Sequence, residues 1–189
     1  MPEDRLPTYP IEFIHPVVLR DGTLLQLRPI HPKDGAQAAD FKSRVSPESI
    51  YNRFLGYLPP LSKEVIERFT EVDYEREIAM VAESIEDEKE PVAVARLASL
   101  EGSRAELAII IADAWQRKGL GTLLIQYMVK VAIKMKFDTI YASYFAENKA
   151  IEKLMQRNGF QKRSEEGGIV KAELPLDMEG VDFAVDIEF

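Results

Sequence analysis

From Glu77 onward, apolar and polar positions fall into short, regular runs. "EIAMVAES" (77–84), "PVAVARLASL" (91–100) and "RAELAIIIAD" (104–113) are apolar stretches of strand length. The segments between them, "IEDEKE" and "EGS", suit hairpin connections, so an antiparallel meander is predicted. After it the period changes. Leu120, Leu123, Leu124, Tyr127, Val131 and Met135 recur at three- and four-residue spacing, which predicts a helix over 119–135. "FDTIYASYF" predicts a strand. "ENKAIEKLMQRNG" predicts a helix capped by Asn148 and stopped at Asn158-Gly159. "FQKRSEEGGIVKAELPL" closes the pattern as a hairpin about Gly167-Gly168.

The amino-terminal half is less regular. "MPEDRLPTYPIEFIHPVVLR" is punctuated by prolines and predicts an extended lead-in, placed at residues 1–18, before a domain over 19–189. Asp21-Gly22 signals a tight turn and "TLLQLRPI" a strand. "HPKDGAQAADFKSRV" starts a helix near Pro32 or Asp34. "SPESIYNRFLG" offers Ser46 as N-cap with Pro47 behind it, and "LSKEVIERFT" offers Ser62, with Val65, Ile66 and Phe69 on one face. A run of strands followed by a strand-helix-strand unit gives the α/β class: a mixed, mostly antiparallel central sheet flanked by helices on both faces.

Composition narrows the chemistry. The 189 residues contain no cysteine, which excludes disulfides, thiolate metal sites and a cysteine nucleophile. The two histidines, His15 and His31, each stand beside a proline, so no metal site is expected. A net charge of -8 argues against nucleic acid as a main partner, because phosphate binding needs a basic face. The apolar runs fall far short of the ~20 residues that span a bilayer, and the first residues lack a signal-peptide plan. No membrane partner and a cytoplasmic location are therefore expected.

"DAWQRKGLGTLLIQYM" concentrates positive charge and backbone freedom directly before the strongest helix. It is either a loose helix start or a seat for an anion. A Walker loop fails, since Thr122 and Leu123 follow Gly121 where lysine and a hydroxyl residue are required. A dinucleotide fingerprint fails at Leu124, where a third glycine or alanine is needed. What remains is strand, two-glycine turn, helix. In that arrangement main-chain N–H groups approach an anion closely and the helix dipole favours negative charge.

"QRKGLGT" resembles the Gln/Arg-x-x-Gly-x-Gly/Ala signature of the GNAT acetyltransferases. "ENKAIEKLMQRNGF" resembles the same family's second segment, with Asn148, Ile151, Leu154, Gly159 and Phe160 in register. "LRDGTLLQLRPI", "SPESIYNRF" and "DYEREIAMVA" are similar to the Pat-type branch, which acetylates protein lysines. The likeness runs from about Leu19 to about Lys171.

The resemblance implies acetyl-CoA as cosubstrate. Its pyrophosphate would lie on Gln116, Arg117, Lys118, Gly119, Leu120, Gly121 and Thr122. Its pantetheine arm would lie along Ile109, Ile110 and Ile111, with Asn148 and Ile151 contributing from the second segment. Asp73 and Tyr74 are candidates for the acceptor wall, against the reading of a solvated loop. Glu106 is the candidate general base. A lysine ammonium with a reference pKa of ~10.4 is free amine in only about one molecule in 2,500 at neutral pH, a deficit of ~4.6 kcal/mol. A carboxylate beside the acceptor holds the cation and takes its proton. Met155 stands where many family members carry a tyrosine acid, which leaves the acid unassigned. Three functions remain open: a protein-lysine acetyltransferase, a small-amine acetyltransferase whose helices over 33–69 close a compact pocket, and a non-catalytic acyl-CoA-binding protein.

Overall fold

The computed structural model describes residues 8–86 and 89–176. The first seven residues of the lead-in, the tip of the 85–90 hairpin at 87–88 and the stretch after Leu176 lie outside the described residues. The elements are β1 (His15–Val18), β2 (Leu24–Pro29), α1 (Ala38–Ser43), α2 (Pro47–Phe54), α3 (Lys63–Thr70), β3 (Glu77–Ser84), β4 (Pro91–Ser99), β5 (Arg104–Ile111), α4 (Leu120–Lys134), β6 (Thr139–Phe145), α5 (Lys149–Arg157), β7 (Gln161–Glu166) and β8 (Ile169–Pro175).

The strands form one sheet in the order β1-β2-β3-β4-β5-β6-β8-β7, in which only the β5–β6 pair is parallel. The predicted meander is present with the predicted strands. One strand was not anticipated. Within the proline-punctuated lead-in, His15–Val18 pairs with Leu24–Leu27 through the Asp21-Gly22 turn, where Gly22 has φ +88° and Asp21 accepts from the Thr23 N–H at 3.0 Å. Pro16 is tolerated because this is the sheet edge, where one side of the strand needs no ladder. The first predicted helix also differs in detail: Pro32–Gln37 is a tight 3-10 turn and only Ala38 onward is α-helical. Gly35 is held where an added Cβ would lie 2.7 Å from Ile66, so α3 packs directly on this turn.

Alternation divides the sheet into two faces. Leu27, Met80, Ala95, Leu97, Leu107 and Ile140 point to one, where they are buried with Leu120, Leu124, Met128 and Val131 of α4 and Met155 of α5. Each fully buried aliphatic side chain contributes about 1.5–3 kcal/mol, so this layer holds the molecule together. Ile30, Val81, Val94, Arg96 and Ile110 point to the other face, beneath α1–α3. Glu106 shares that second face, two residues before Ala108 and four before Ile110.

Buried Tyr127 ties the amino-terminal segment to α4. Its hydroxyl donates to the Phe13 carbonyl at 2.8 Å, and burial pushes the phenol well above its ordinary range. Tyr127→Phe removes that hydrogen bond. It is expected to lower stability by about 1–2 kcal/mol in urea unfolding. Unchanged stability would show that the tie does not matter.

Candidate active site

The site begins where two strands part. β5 is registered on β4 from Ala105↔Ser99 to Ile111↔Ala93, and β6 on β8 from Thr139↔Pro175 to Phe145↔Ile169. Between β5 and β6 only three pairs form: Arg104↔Thr139, Ala105↔Ile140 and Glu106↔Tyr141. Beyond Glu106 the strands splay. The Ala112 N–H donates to the Val92 carbonyl at 2.9 Å, so by strand alternation Ile110 and Ala108 also turn their main chain to β4. Ile109 and Ile111 therefore present theirs to the gap. Of the three predicted contacts, Ile110 differs from its neighbours: its main chain belongs to the sheet and its side chain to the opposite cavity wall.

The turn after β5 is built to expose its backbone. Gln116 is extended, Arg117 has φ +60°, Gly119 has φ +88°, and α4 starts at Leu120 without a side-chain cap. The first N–H groups of α4 thus lack intrahelical partners and sit at the positive end of its dipole. The Gln116 side chain does not face outward. Its amide donates to the Ile111 carbonyl at 3.1 Å, Asp113 at 3.0 Å and the Ser49 hydroxyl at 3.1 Å, which anchors the turn to β5 and α2. Asp113 in turn accepts from the Ser46 N–H and the Ser49 hydroxyl. The Lys118 ammonium stands 4.9 Å from the centre of the Trp115 ring. Leu120 is buried in the core, so its side chain is not available to a ligand.

The two glycines have separate reasons. Space above Gly119 is open, with nothing within 4 Å of an added Cβ, and its left-handed conformation is what requires glycine. At Gly121 an added Cβ would lie 3.0 Å from Leu154 and 3.6 Å from Ile111. This glycine lets α4 seat against α5 and β5, a packing role in addition to the ligand clearance the sequence implied.

Glu106 lies at the mouth of the gap, where the Ser143 hydroxyl donates to its Oε1 at 2.9 Å. Ser143 was not a predicted site residue. Strand alternation puts it with Tyr141, but its meeting with Glu106 depends on the β5–β6 register, which the sequence does not display. Arg53 of α2 lies on the same face. Burial pulls its guanidinium down to about 10, repulsion from Arg96 acts the same way, and the Glu106 charge opposes both. Tyr51, half-exposed, stacks on Phe145 at 5.1 Å and 11°.

Residues 25–161 match the family described as the acetyltransferase (GNAT) domain. The chain belongs to the GNAT acetyltransferase family. An acetyltransferase of Pseudomonas aeruginosa is 32% identical over 144 residues, which cover 75% of this chain and 77% of the relative. The acetyltransferase Pat of Mycolicibacterium smegmatis is 29% identical over 164 residues, 85% of this chain but 48% of that protein. The crystal structure of the GNAT domain of S. lividans PAT has a TM-score of 0.82 and 30% identity, over 89% of this chain and 99% of that one.

Within this GNAT domain the remaining predicted residues take clear places. Asn148 caps α5, its Oδ1 accepting from the Ile151 N–H at 3.2 Å, while the Ile151 side chain packs against the core. Met155 is buried in the core. Tyr74, at φ +56°, donates its hydroxyl to the Ile30 carbonyl at 2.6 Å. Asp73 accepts from the N–H groups of Glu75, Arg76 and Glu77 at 3.0, 2.8 and 2.9 Å. Burial opposes its ionisation, yet those three hydrogen bonds hold the carboxyl below its ordinary value. Both residues are engaged in shaping the loop before β3. Among the described residues, no cluster of three or more acidic or histidine side chains stands ready for a metal, and no helix is long and apolar enough to cross a membrane.

Three outcomes follow for stability. Gly121→Val is expected to cost about 1–3 kcal/mol by overpacking against Leu154, and Gly119→Ala about 1 kcal/mol by backbone strain alone. Thermal unfolding checks both, and a neutral Gly121→Val would refute the packing role. Asp73→Ala is expected to destabilise at pH 7. A depressed carboxyl stabilises above its unfolded value of 3.8 and loses that contribution as pH falls through the lower folded value, so the difference from the parent shrinks in acid. A difference independent of pH would contradict it.

Proposed function

We propose that this acetyltransferase moves the acetyl group of acetyl-CoA directly to the ε-amino group of protein lysines, with Glu106 as general base. The observation that carries the reading is the position of the carboxylate: β5 and β6 stop pairing at the residue pair that contains it. An acyl donor lying in the splay has its pantetheine amides against the main chain of Ile109 and Ile111. Its pyrophosphate meets the uncapped N–H groups at Gly119 to Thr122, with Arg117 and Lys118 beside them. The Ile109 N–H polarises the thioester carbonyl and steadies the oxyanion. The Asn148 amide nitrogen, not used in capping, donates to the arm.

The reaction then balances without a covalent enzyme intermediate. Glu106, held by Ser143, takes a proton from the acceptor ammonium. The freed nitrogen attacks the thioester carbon, the C–S bond breaks with its electron pair on sulfur, and the second proton of the acylated nitrogen passes to that sulfur, so CoA leaves as thiol. A buried Met155 offers no proton, and a thiol of near-neutral to mildly basic pKa needs little help to depart. The similarity to Pat sequences favours lysine, as does the half-exposed Tyr51 stacked on Phe145 of β6. A second reading, transfer to a small amine, is favoured by the apolar space beneath α1–α3.

Glu106→Gln is expected to cut turnover at least about tenfold while CoA binding stays nearly unchanged. Unchanged turnover would remove Glu106 as the base. Acetylation of a protein panel read by mass spectrometry, with free amines as competitors, decides between acceptors. Preferential labelling of free amines would overturn the lysine reading, and tight CoA binding with no turnover on any amine would favour a non-catalytic acyl-CoA-binding protein.

A further inference from the structure

Helices α1–α3 cover the Glu106 face of the sheet without closing on it. α1 and α2 bury no residue completely, and α3 buries only Thr70. Between them and the strands lies a cavity of about 130 Å³. Phe41, Ile50, Phe54 and Phe69 line it from the helices, and Val94 and Ile110 from the sheet. A space of this size admits a ring or a short branched chain, since an engineered apolar cavity of about 150 Å³ binds benzene. Water is a poor occupant here, because it needs two to four polar partners and these walls are nearly all hydrocarbon.

The charged side chains on the lining are not equally provided for. Asp34 receives both Nη groups of Arg28 at 2.8 Å, and Arg96 is held by Glu77 and the Phe69 carbonyl. Arg53 is different. Among the described residues no carboxylate reaches it within ion-pair distance, its buried Nε meets no acceptor, and its guanidinium lies 4.8 Å from the centre of the Phe54 ring. A buried N–H without an acceptor is costly, and an anion arriving with hydrogen-bond acceptors removes that cost. Lys42 adds a second positive charge to the lining.

We propose that this cavity binds a small apolar carboxylate, with its hydrocarbon part among Phe41, Phe54 and Phe69 and its carboxylate forked on Arg53. Guanidinium matches a carboxylate with two parallel N–H donors, which a neutral amide cannot reproduce. The site is distinct from the acyl-donor gap, because the Ile110 side chain faces the cavity whereas Ile109 and Ile111 turn their main chain to the splay. The proposal does not rest on the acyl-transfer reading. Its ligand is either a free carboxylic acid or an acceptor that bears a carboxylate near its amine.

The test is a methyl-resolved NMR titration of the full chain, following Ile50, Val94 and Ile110, with benzoate, hexanoate and their neutral amides. The acids are expected to shift these methyls and to bind at least about tenfold tighter than the amides. Arg53→Met is expected to abolish that preference, Arg53→Lys to weaken it, and Val94→Phe to block binding by filling the space while the sheet stays intact. Equal affinity for acid and amide, absence of shifts at the three methyls, or undiminished acid binding in Arg53→Lys or Val94→Phe overturns the proposal. These readouts stand whether or not Arg53→Met folds, and none depends on turnover. Leucine and phenylalanine then separate the two sources: acetylation of either places the carboxylate on the acceptor, and binding without acetylation identifies a free acid as the ligand.

Discussion

β5 and β6 are each hydrogen-bonded along their whole length to an outer neighbour, and they meet each other over only three residue pairs. Neither strand can bend toward the other without breaking a longer ladder, and sheet twist carries them apart. That competition creates the gap. It leaves the Ile109 and Ile111 main chain without a strand partner, and it places Glu106 at the last residue before the opening. A partly buried main chain is seldom left unpaired without cause. The Gln116 amide satisfies one carbonyl, and an extended, amide-rich arm would satisfy the rest.

The same turn connects the two layers of the molecule. Ser46 and Ser49 at the start of α2, Asp113 and Gln116 form one hydrogen-bonded group, so the helical layer is fixed to the loop before α4. The donor side of the site therefore inherits rigidity from the core packed on α4. The opposite face is looser. α1–α3 rest over a cavity rather than on a closed interface.

Much of this was legible in the sequence. The meander, α4, α5 and the Gly167-Gly168 hairpin were given by period and turn residues, because their burial is one-sided and regular. β1 escaped because Pro16 and Pro10 read as loop, and only pairing with Leu24–Leu27 makes an edge strand of it. The backbone turn at Arg117–Gly119 was readable from glycine and charge, but the inward use of the Gln116 side chain was not. Ser143 and Arg53 carried no local signal. Ser143 meets Glu106 through a register between strands far apart in sequence, and Arg53 has the pattern of any solvated charge on an amphipathic helix. Asp73 and Tyr74 stood out as polar residues before a strand, and their hydrogen bonds show how such residues shape a loop.

The most direct measurement is residue-resolved amide hydrogen exchange with and without acetyl-CoA. The account requires slowed exchange at Ile109, Ile111 and the amides from Gly119 to Thr122, with the β7–β8 hairpin unaffected. Bound acetyl-CoA that leaves those amides exchanging as before, or no binding by a folded chain, would contradict it.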